Sequence, residues 1–336
     1  MLFRGGHRLE VGLYCIIVLA ELGRGLRAQE LSLMGGAAAL ADLGTESYSW
    51  ELDYRQYFLP QVAVSLDWIN EGHLSEHHVD GFATEAWYCL PLDRGRLSLS
   101  VGAGPYFYFD TVLPPIGPSL DAHGFAPIYS AALTGYLGNR WFWRVMYNRI
   151  NPPSNDIKVN TLDMGVGYWM GKGTEPPRIA TVSPEEDPPF SPYNEVTPYV
   201  GWRVSNTRLN RQTMAEALEY RRDLSPHFDA TASFIYEGDP AVVRRSGLAA
   251  QIWTLSRFPE QWGLSVGMGF GAYLYVDKKT AQPGGLKSAS SVGGLVSPMI
   301  SKRLGSSAWT ARLLWNRIIT NYDRDSDLWM VGYAWR

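Results

Sequence analysis

Apolar and charged residues alternate one for one along short segments of this chain. Trp50, Leu52 and Tyr54 interleave with Glu51, Asp53 and Arg55, and Trp143, Val145 and Tyr147 interleave with Arg144, Met146 and Asn148. A period of two marks a β-strand with one apolar and one polar face. Runs of this kind fall near 30–40, 48–58, 62–71, 81–91, 96–110, 124–138, 141–150 and 160–170. A second set falls near 195–205, 215–224, 228–237, 246–257, 262–277, 289–304, 307–319 and 326–336. Most are close to the ~9–11 residues that a tilted strand needs to cross a bilayer.

The two sets are copies of one another. Glu51-Leu-Asp-Tyr-Arg55 matches Ala217-Leu-Glu-Tyr-Arg221, and Ile69-Asn-Glu-Gly72 matches Ile235-Tyr-Glu-Gly238. Leu99–Gly104 matches Leu264–Gly269, Tyr106–Asp110 matches Tyr273–Asp277, Tyr147–Ile150 matches Trp315–Ile318, and Val166–Tyr168 matches Val331–Tyr333. Collinear matches at a nearly constant offset indicate duplication. The chain therefore divides into a first eight-strand repeat, 29–170, and a second, 195–336. Between them, residues 171–194 carry Glu175-Pro-Pro and Ser183-Pro-Glu-Glu-Asp-Pro-Pro, which predicts a stiff polar linker.

Which face points where follows from the alternation. If the apolar face meets lipid, the polar face lines the lumen. That places Glu51, Asp53, Arg55, Glu85, Arg144 and Asn148 inside the first copy, and Glu219, Arg221, Gln251, Arg312 and Asn316 inside the second. A mutually neutralising network would fill or line a barrel, because an unpaired buried charge is costly.

Composition agrees with a membrane barrel. The 13 Trp, 19 Tyr, 12 Phe and 34 Gly fit aromatic girdles and close strand contacts. Mean hydropathy near zero fits strands with one apolar and one polar face. Arg4, His7 and Arg8 followed by the apolar run Val11–Ala20 predict a signal peptide over 1–28, cleaved before Gln29. Its loss leaves 26 basic against 31 acidic residues, a formal net charge of −5 that gives no reason to expect a nucleic-acid partner. With Cys15 in the signal, Cys89 stands alone in the mature chain and no internal disulfide can form.

Short connections such as Leu59–Gln61 and Leu92–Gly95 alternate with longer ones rich in Pro, Asp and Lys, including 110–124 and 277–289. Short periplasmic turns and longer external loops are the outer-membrane pattern, with both termini and the linker periplasmic. The terminal Gly332-Tyr-Ala-Trp335-Arg336 resembles the C-terminal signal of bacterial outer-membrane barrels, which implies the barrel assembly machinery as a partner beside membrane lipid and lipopolysaccharide.

Each copy also resembles the eight-strand barrels of the lipid A deacylase and acyloxyacyl-hydrolase-like group, in strand number and in its Gly-rich fifth and eighth strands. That resemblance implies a His-x-Ser pair on the seventh strand, where a serine attacks an acyl ester with histidine as base. The corresponding positions read Asn148-x-Ile150 and Asn316-x-Ile318, so the pair is absent and Asp163 has no base to orient. No catalytic residue and no cofactor is expected.

A second constellation, His73, His77 and His78 with Glu76 and Asp80, falls in the connection after the third strand, and His123 in the next external loop. Imidazoles and carboxylates at this density are candidate ligands for zinc or another transition metal, although the spacing matches no established motif.

Two architectures fit the repeat: one sixteen-strand barrel, which the sequence reading favours, and two eight-strand barrels. Sixteen strands would leave an aqueous lumen, whereas eight leave one filled by side chains. The function expected on that basis is a non-enzymatic outer-membrane pore or export channel with saccharide or lipid-linked material as candidate cargo. A binding or scaffolding barrel is the second reading and a lipid hydrolase the third.

Overall fold

A computed structural model describes residues 28–40, 45–74, 77–112, 120–138, 140–151, 158–170, 192–205, 212–225, 228–238, 243–258, 262–279, 288–305, 308–320 and 325–335. Residues 1–27 of the expected signal segment and residues 171–191 of the expected linker lie outside them, while Ala28, expected to be the last signal residue, opens the first strand.

The first barrel contains β1 (Ala28–Leu40), β2 (Glu46–Leu59), β3 (Val62–Leu74), β4 (His77–Leu92), β5 (Leu97–Val112), β6 (Leu120–Tyr136), β7 (Trp141–Ile150) and β8 (Val159–Trp169). The second contains β9 (Asn194–Ser205), β10 (Gln212–Ser225), β11 (Phe228–Tyr236), β12 (Val243–Arg257), β13 (Leu264–Lys279), β14 (Ser288–Arg303), β15 (Trp309–Ile319) and β16 (Ser326–Trp335). Among the described residues no helix is long and apolar enough to cross a membrane, and a 3-10 turn spans Asp93–Gly95.

The favoured sixteen-strand barrel does not form. Each repeat closes on itself, β1 pairing with β8 from Glu30↔Trp169 to Leu40↔Val159 and β9 pairing with β16 from Val196↔Trp335 to Ser205↔Ser326. Both partners of every end strand thus come from its own repeat. Closure leaves no open edge, which is the condition for a sheet to survive in lipid.

The connection expected after the third strand is shorter than the sequence reading allowed. β3 and β4 continue as a paired hairpin to His73↔His78 and Leu74↔His77, after a register shift between Asn70 and His73. Gly72 sits in that shift at φ +70, and a Cβ there would lie 2.3 Å from Ser47 Oγ. Its counterpart Gly238 has φ +80, with a Cβ falling 2.2 Å from Met214 O. Only glycine fits both the left-handed backbone and the close neighbour.

Packing also corrects two of the sequence matches. A Cβ on Gly104 would sit 1.9 Å from Thr84 O, and one on Gly271 would sit 1.9 Å from Ala250 O, so these two are equivalent. The Leu99–Gly104 and Leu264–Gly269 likeness is therefore two residues out of structural register. The same holds for the last strands. Asn148 pairs with Thr161 and Asn316 with Leu328, which makes Met330 the positional equivalent of Asp163.

Candidate functional site

Inward positions of the strands build the same ion quartet in each barrel. In the first, the Arg144 guanidinium donates to Glu30 and Asp53, to Ser32 Oγ at 3.2 Å and to Thr134 Oγ1 at 3.0 Å. Arg55 reaches Asp53 at 3.3 Å, and its guanidinium lies 3.7 Å from the centre of the Trp87 ring. In the second, Arg312 donates to Glu195 and to Thr197 Oγ1 at 2.7 Å, and Arg221 meets Glu219 at 3.1 Å and Asp229 at 3.2 Å while covering Trp253 at 4.3 Å. The tryptophans are pinned alike, Trp87 donating to Ser65 at 2.8 Å and Trp253 to Thr231 at 3.0 Å. Such bonds cross the lumen. Arg221 on β10 comes within 3.5 Å of the Met299 sulfur on β14, four strands away round an eight-strand ring.

All eleven residues expected to face the lumen are buried: Glu51, Asp53, Arg55, Glu85, Arg144 and Asn148 in one barrel, and Glu219, Arg221, Gln251, Arg312 and Asn316 in the other. The sequence reading missed Glu30 and Glu195, which complete the quartets from β1 and β9. Their shared setting, Glu30-x-Ser32 and Glu195-x-Thr197, was a legible signal at an offset within a few residues of the rest of the repeat.

One layer further along the axis the barrels part company. The first carries Glu51, Asp67, Glu85 and Asp163, where the second carries Ala217, Ser233, Gln251 and Met330. The second barrel's layer is neutral and bonded: Gln251 Nε2 donates to Ser297 Oγ at 2.9 Å, and Ser297 donates to Asn316 Oδ1 at 2.5 Å. The first barrel's layer holds Glu51 by Asn148 at 2.7 Å, Asp67 by Ser65 at 2.6 Å and Asp163 by Ser49 at 2.5 Å. Glu51 Oε1, Asp67 Oδ1, Asp163 Oδ2, Asn148 Oδ1 and both Glu85 oxygens are buried without a hydrogen-bond partner.

The four candidate histidine ligands do not converge. His73 and His78 stack with ring centres 4.5 Å apart, His77 Nδ1 binds Asp110 at 2.8 Å, and His123 lies edge-on to Phe109 at 5.8 Å. Among the described residues, the one group of three or more His, Cys, Asp or Glu whose donor atoms converge is Glu51, Asp53 and Asp67, within 4.8 Å of one another. Position 148, where the hydrolase resemblance would need histidine, is filled by an amide bonded to Glu51 and to Thr161 at 3.1 Å.

Outside, the polarity inverts. Leu33, Leu99, Val101, Leu133, Leu162 and Val166 face outward on the first barrel, and Val200, Leu218, Phe234, Leu248, Leu274 and Leu313 do so on the second. An apolar exterior closed around a charged interior is the construction of a transmembrane β-barrel, here made twice.

No protein-family model matches the sequence, and no curated protein is significantly similar to it. By structure the chain is similar to the N-terminal β-barrel domain of Pseudomonas aeruginosa OprF, at 14% identity over 43% of this chain and 98% of that one, with a TM-score of 0.36. It is similar to Neisserial surface protein A at 12% identity over 44% and 99% of the two chains, TM-score 0.35. The Yersinia pestis attachment invasion locus protein Ail, in complex with a heparin analogue, aligns at 17% identity over 43% and 98%, TM-score 0.32.

Proposed function

We propose that the protein is an integral outer-membrane protein whose barrels are closed anchors, acting by binding or display at their ends and not by conducting solute. The observation that supports this most directly is the filled lumen: charged side chains reach across each barrel and are almost wholly buried, as at Arg144 and Arg221. An eight-strand ring has an interior about wide enough for its own side chains. This reading departs from the pore expected from sixteen strands.

The surrounding partners are lipid and lipopolysaccharide against the apolar exterior, with the barrel assembly machinery reading β16. In each barrel an even number of strands returns the chain to the side where it entered. Short turns such as that at Asp93–Gly95 fit the periplasmic side.

The test is reconstitution of the full chain in planar bilayers, with fractionation of the expressing cells. Outer-membrane recovery, faster migration of unboiled than boiled protein, and silent bilayers are expected. Stable conductance steps overturn the closed-anchor reading, and recovery in the soluble periplasm overturns the membrane reading.

A further inference from the structure

The geometry points to a cation site inside the first barrel, in which Glu51, Asp53 and Asp67 hold a hard divalent ion of the calcium, magnesium or manganese type. It is separate from the anchoring role of the barrels.

Charge accounting gives the reason. Arg55 and Arg144 are matched by Asp53 and Glu30, to which they are bonded. Glu51, Asp67, Glu85 and Asp163 then remain in the adjoining layer with no guanidinium bonded to them. Neighbouring layers offer no counter-charge on the far side, where Ile69, Ala83, Tyr106, Ile128 and Ile150 form an apolar cluster. Carboxylates in such a place must be neutralised, since an uncompensated buried charge is costly.

The donor set suits a metal ion. Three carboxylate oxygens lie within 4.8 Å of one another, a spread that ligands at 2.3–2.6 Å from a calcium-sized cation can span, with Asp53 sharing its carboxylate between the ion and the two arginines. Asn148 anchors Glu51 through its Nδ2 and leaves its buried Oδ1 free to serve as a neutral oxygen ligand. Glu85, buried beside the Ser130 hydroxyl with no bond of full geometry to it, is close enough to interact electrostatically with Glu51 and Asp67. All of these donors are oxygen, which favours calcium, magnesium or manganese over zinc or copper.

The second barrel supplies the control. At the positions of Glu51, Asp67 and Glu85 it has Ala217, Ser233 and Gln251, inside a barrel that closes in the same way. The triple variant Glu51→Ala/Asp67→Ser/Glu85→Gln therefore introduces residues already compatible with this architecture.

The experiment refolds the full-length chain in detergent free of lipopolysaccharide, in the presence of calcium, magnesium or manganese chloride or with a chelator. Bound metal is counted after gel filtration, and thermal unfolding and terbium luminescence excited through tryptophan are followed. Wild type is expected to retain one equivalent of metal, to unfold at higher temperature with metal than with chelator, and to sensitise terbium. The triple variant, its folding verified by unboiled gel mobility, should lose at least about tenfold in affinity and the metal-dependent shift. Wild type that retains no metal under any of the three ions overturns the site and leaves protons as the neutralising species. Binding that persists undiminished in the folded variant places the ion elsewhere and overturns it equally. If the triple variant does not fold, Asp67→Asn alone carries the same comparison.

Discussion

The two barrels share a frame and differ in one layer. Both carry the glutamate, acid and two arginines that tie β1, β2 and β7, or β9, β10 and β15, across the lumen. Beyond that, the second barrel packs a single apolar cluster from Tyr199 through Trp253 and Tyr273 to Met330. In the first, the core is split into a cluster around Met34, Trp87 and Met146, another around Ile69, Tyr106 and Ile150 with the carboxylate layer between these two, and a small one at Ala38, Leu40 and Val159. Among the described residues the first barrel buries nine carboxylates against two guanidiniums and the second seven against five, so only the first carries a large acidic excess. The two barrels thus share the structural quartet and differ in the chemistry of the adjoining layer.

The sharpest way to break this comparison is to exchange the layer. Met330→Asp puts a carboxylate into the continuous apolar cluster beside Ala215, which has no hydroxyl to hold it as Ser49 holds Asp163. A loss of about 5 kcal/mol is expected, from the lost packing and the unpaired charge together. The reverse change, Asp163→Met, should cost less, about 1–3 kcal/mol, the price of an unpartnered Ser49 hydroxyl. Equal costs in urea unfolding would show the layers to be interchangeable.

Next in size are the quartet arginines. Arg144→Met leaves Glu30 without its guanidinium and Asp53 with Arg55 alone, and Arg312→Met strips Glu195 in the same way, each for about 3–5 kcal/mol. Similar destabilisation by the two variants, read from denaturation midpoints, is the expected sign of a shared frame. A near-neutral result at either arginine would remove that barrel's quartet from the account.

Smaller effects come from the bulge glycines. Gly72→Ala and Gly238→Ala should each cost about 2 kcal/mol, because both combine positive φ with a neighbour inside contact distance. Hydrogen exchange should show the loss at the β3–β4 and β11–β12 ends, leaving the quartets protected. Smallest is Tyr147→Phe or Tyr220→Phe. Each removes one exposed hydroxyl bond of 2.8 Å, to Asn160 and Asn194, and should change stability by less than about 1 kcal/mol.

Much of this was legible in the chain. Alternation at Glu51–Arg55 and Trp143–Asn148 sets inward and outward faces because side chains on a strand point to opposite sides at every step. The copies were legible too, yet Leu99–Gly104 and Val166–Tyr168 were matched two residues away from their packing equivalents. A slip of two keeps every residue on its proper face, so alternation cannot detect it. Glu30 and Glu195 escaped notice although their repeated Glu-x-hydroxyl spacing was present. The histidines looked like one loop cluster because sequence proximity conceals that a continued hairpin directs His73 and His78 to one contact and His77 to another.

The sequence by itself determined that the chain is built of paired, half-apolar strands in two copies, and which residues avoid lipid. It could not decide where the sheet closes. That depends on whether β8 finds β1 or β9, a choice between edges of the same polarity made by long-range pairing energy and not by any local pattern. Closure at eight strands then narrowed the lumen until residues more than a hundred positions apart came into contact, as Glu30 with Arg144 and Ser49 with Asp163 do. Only at that diameter do Glu51, Asp67 and Glu85 of the first barrel face one another with no guanidinium bonded to them.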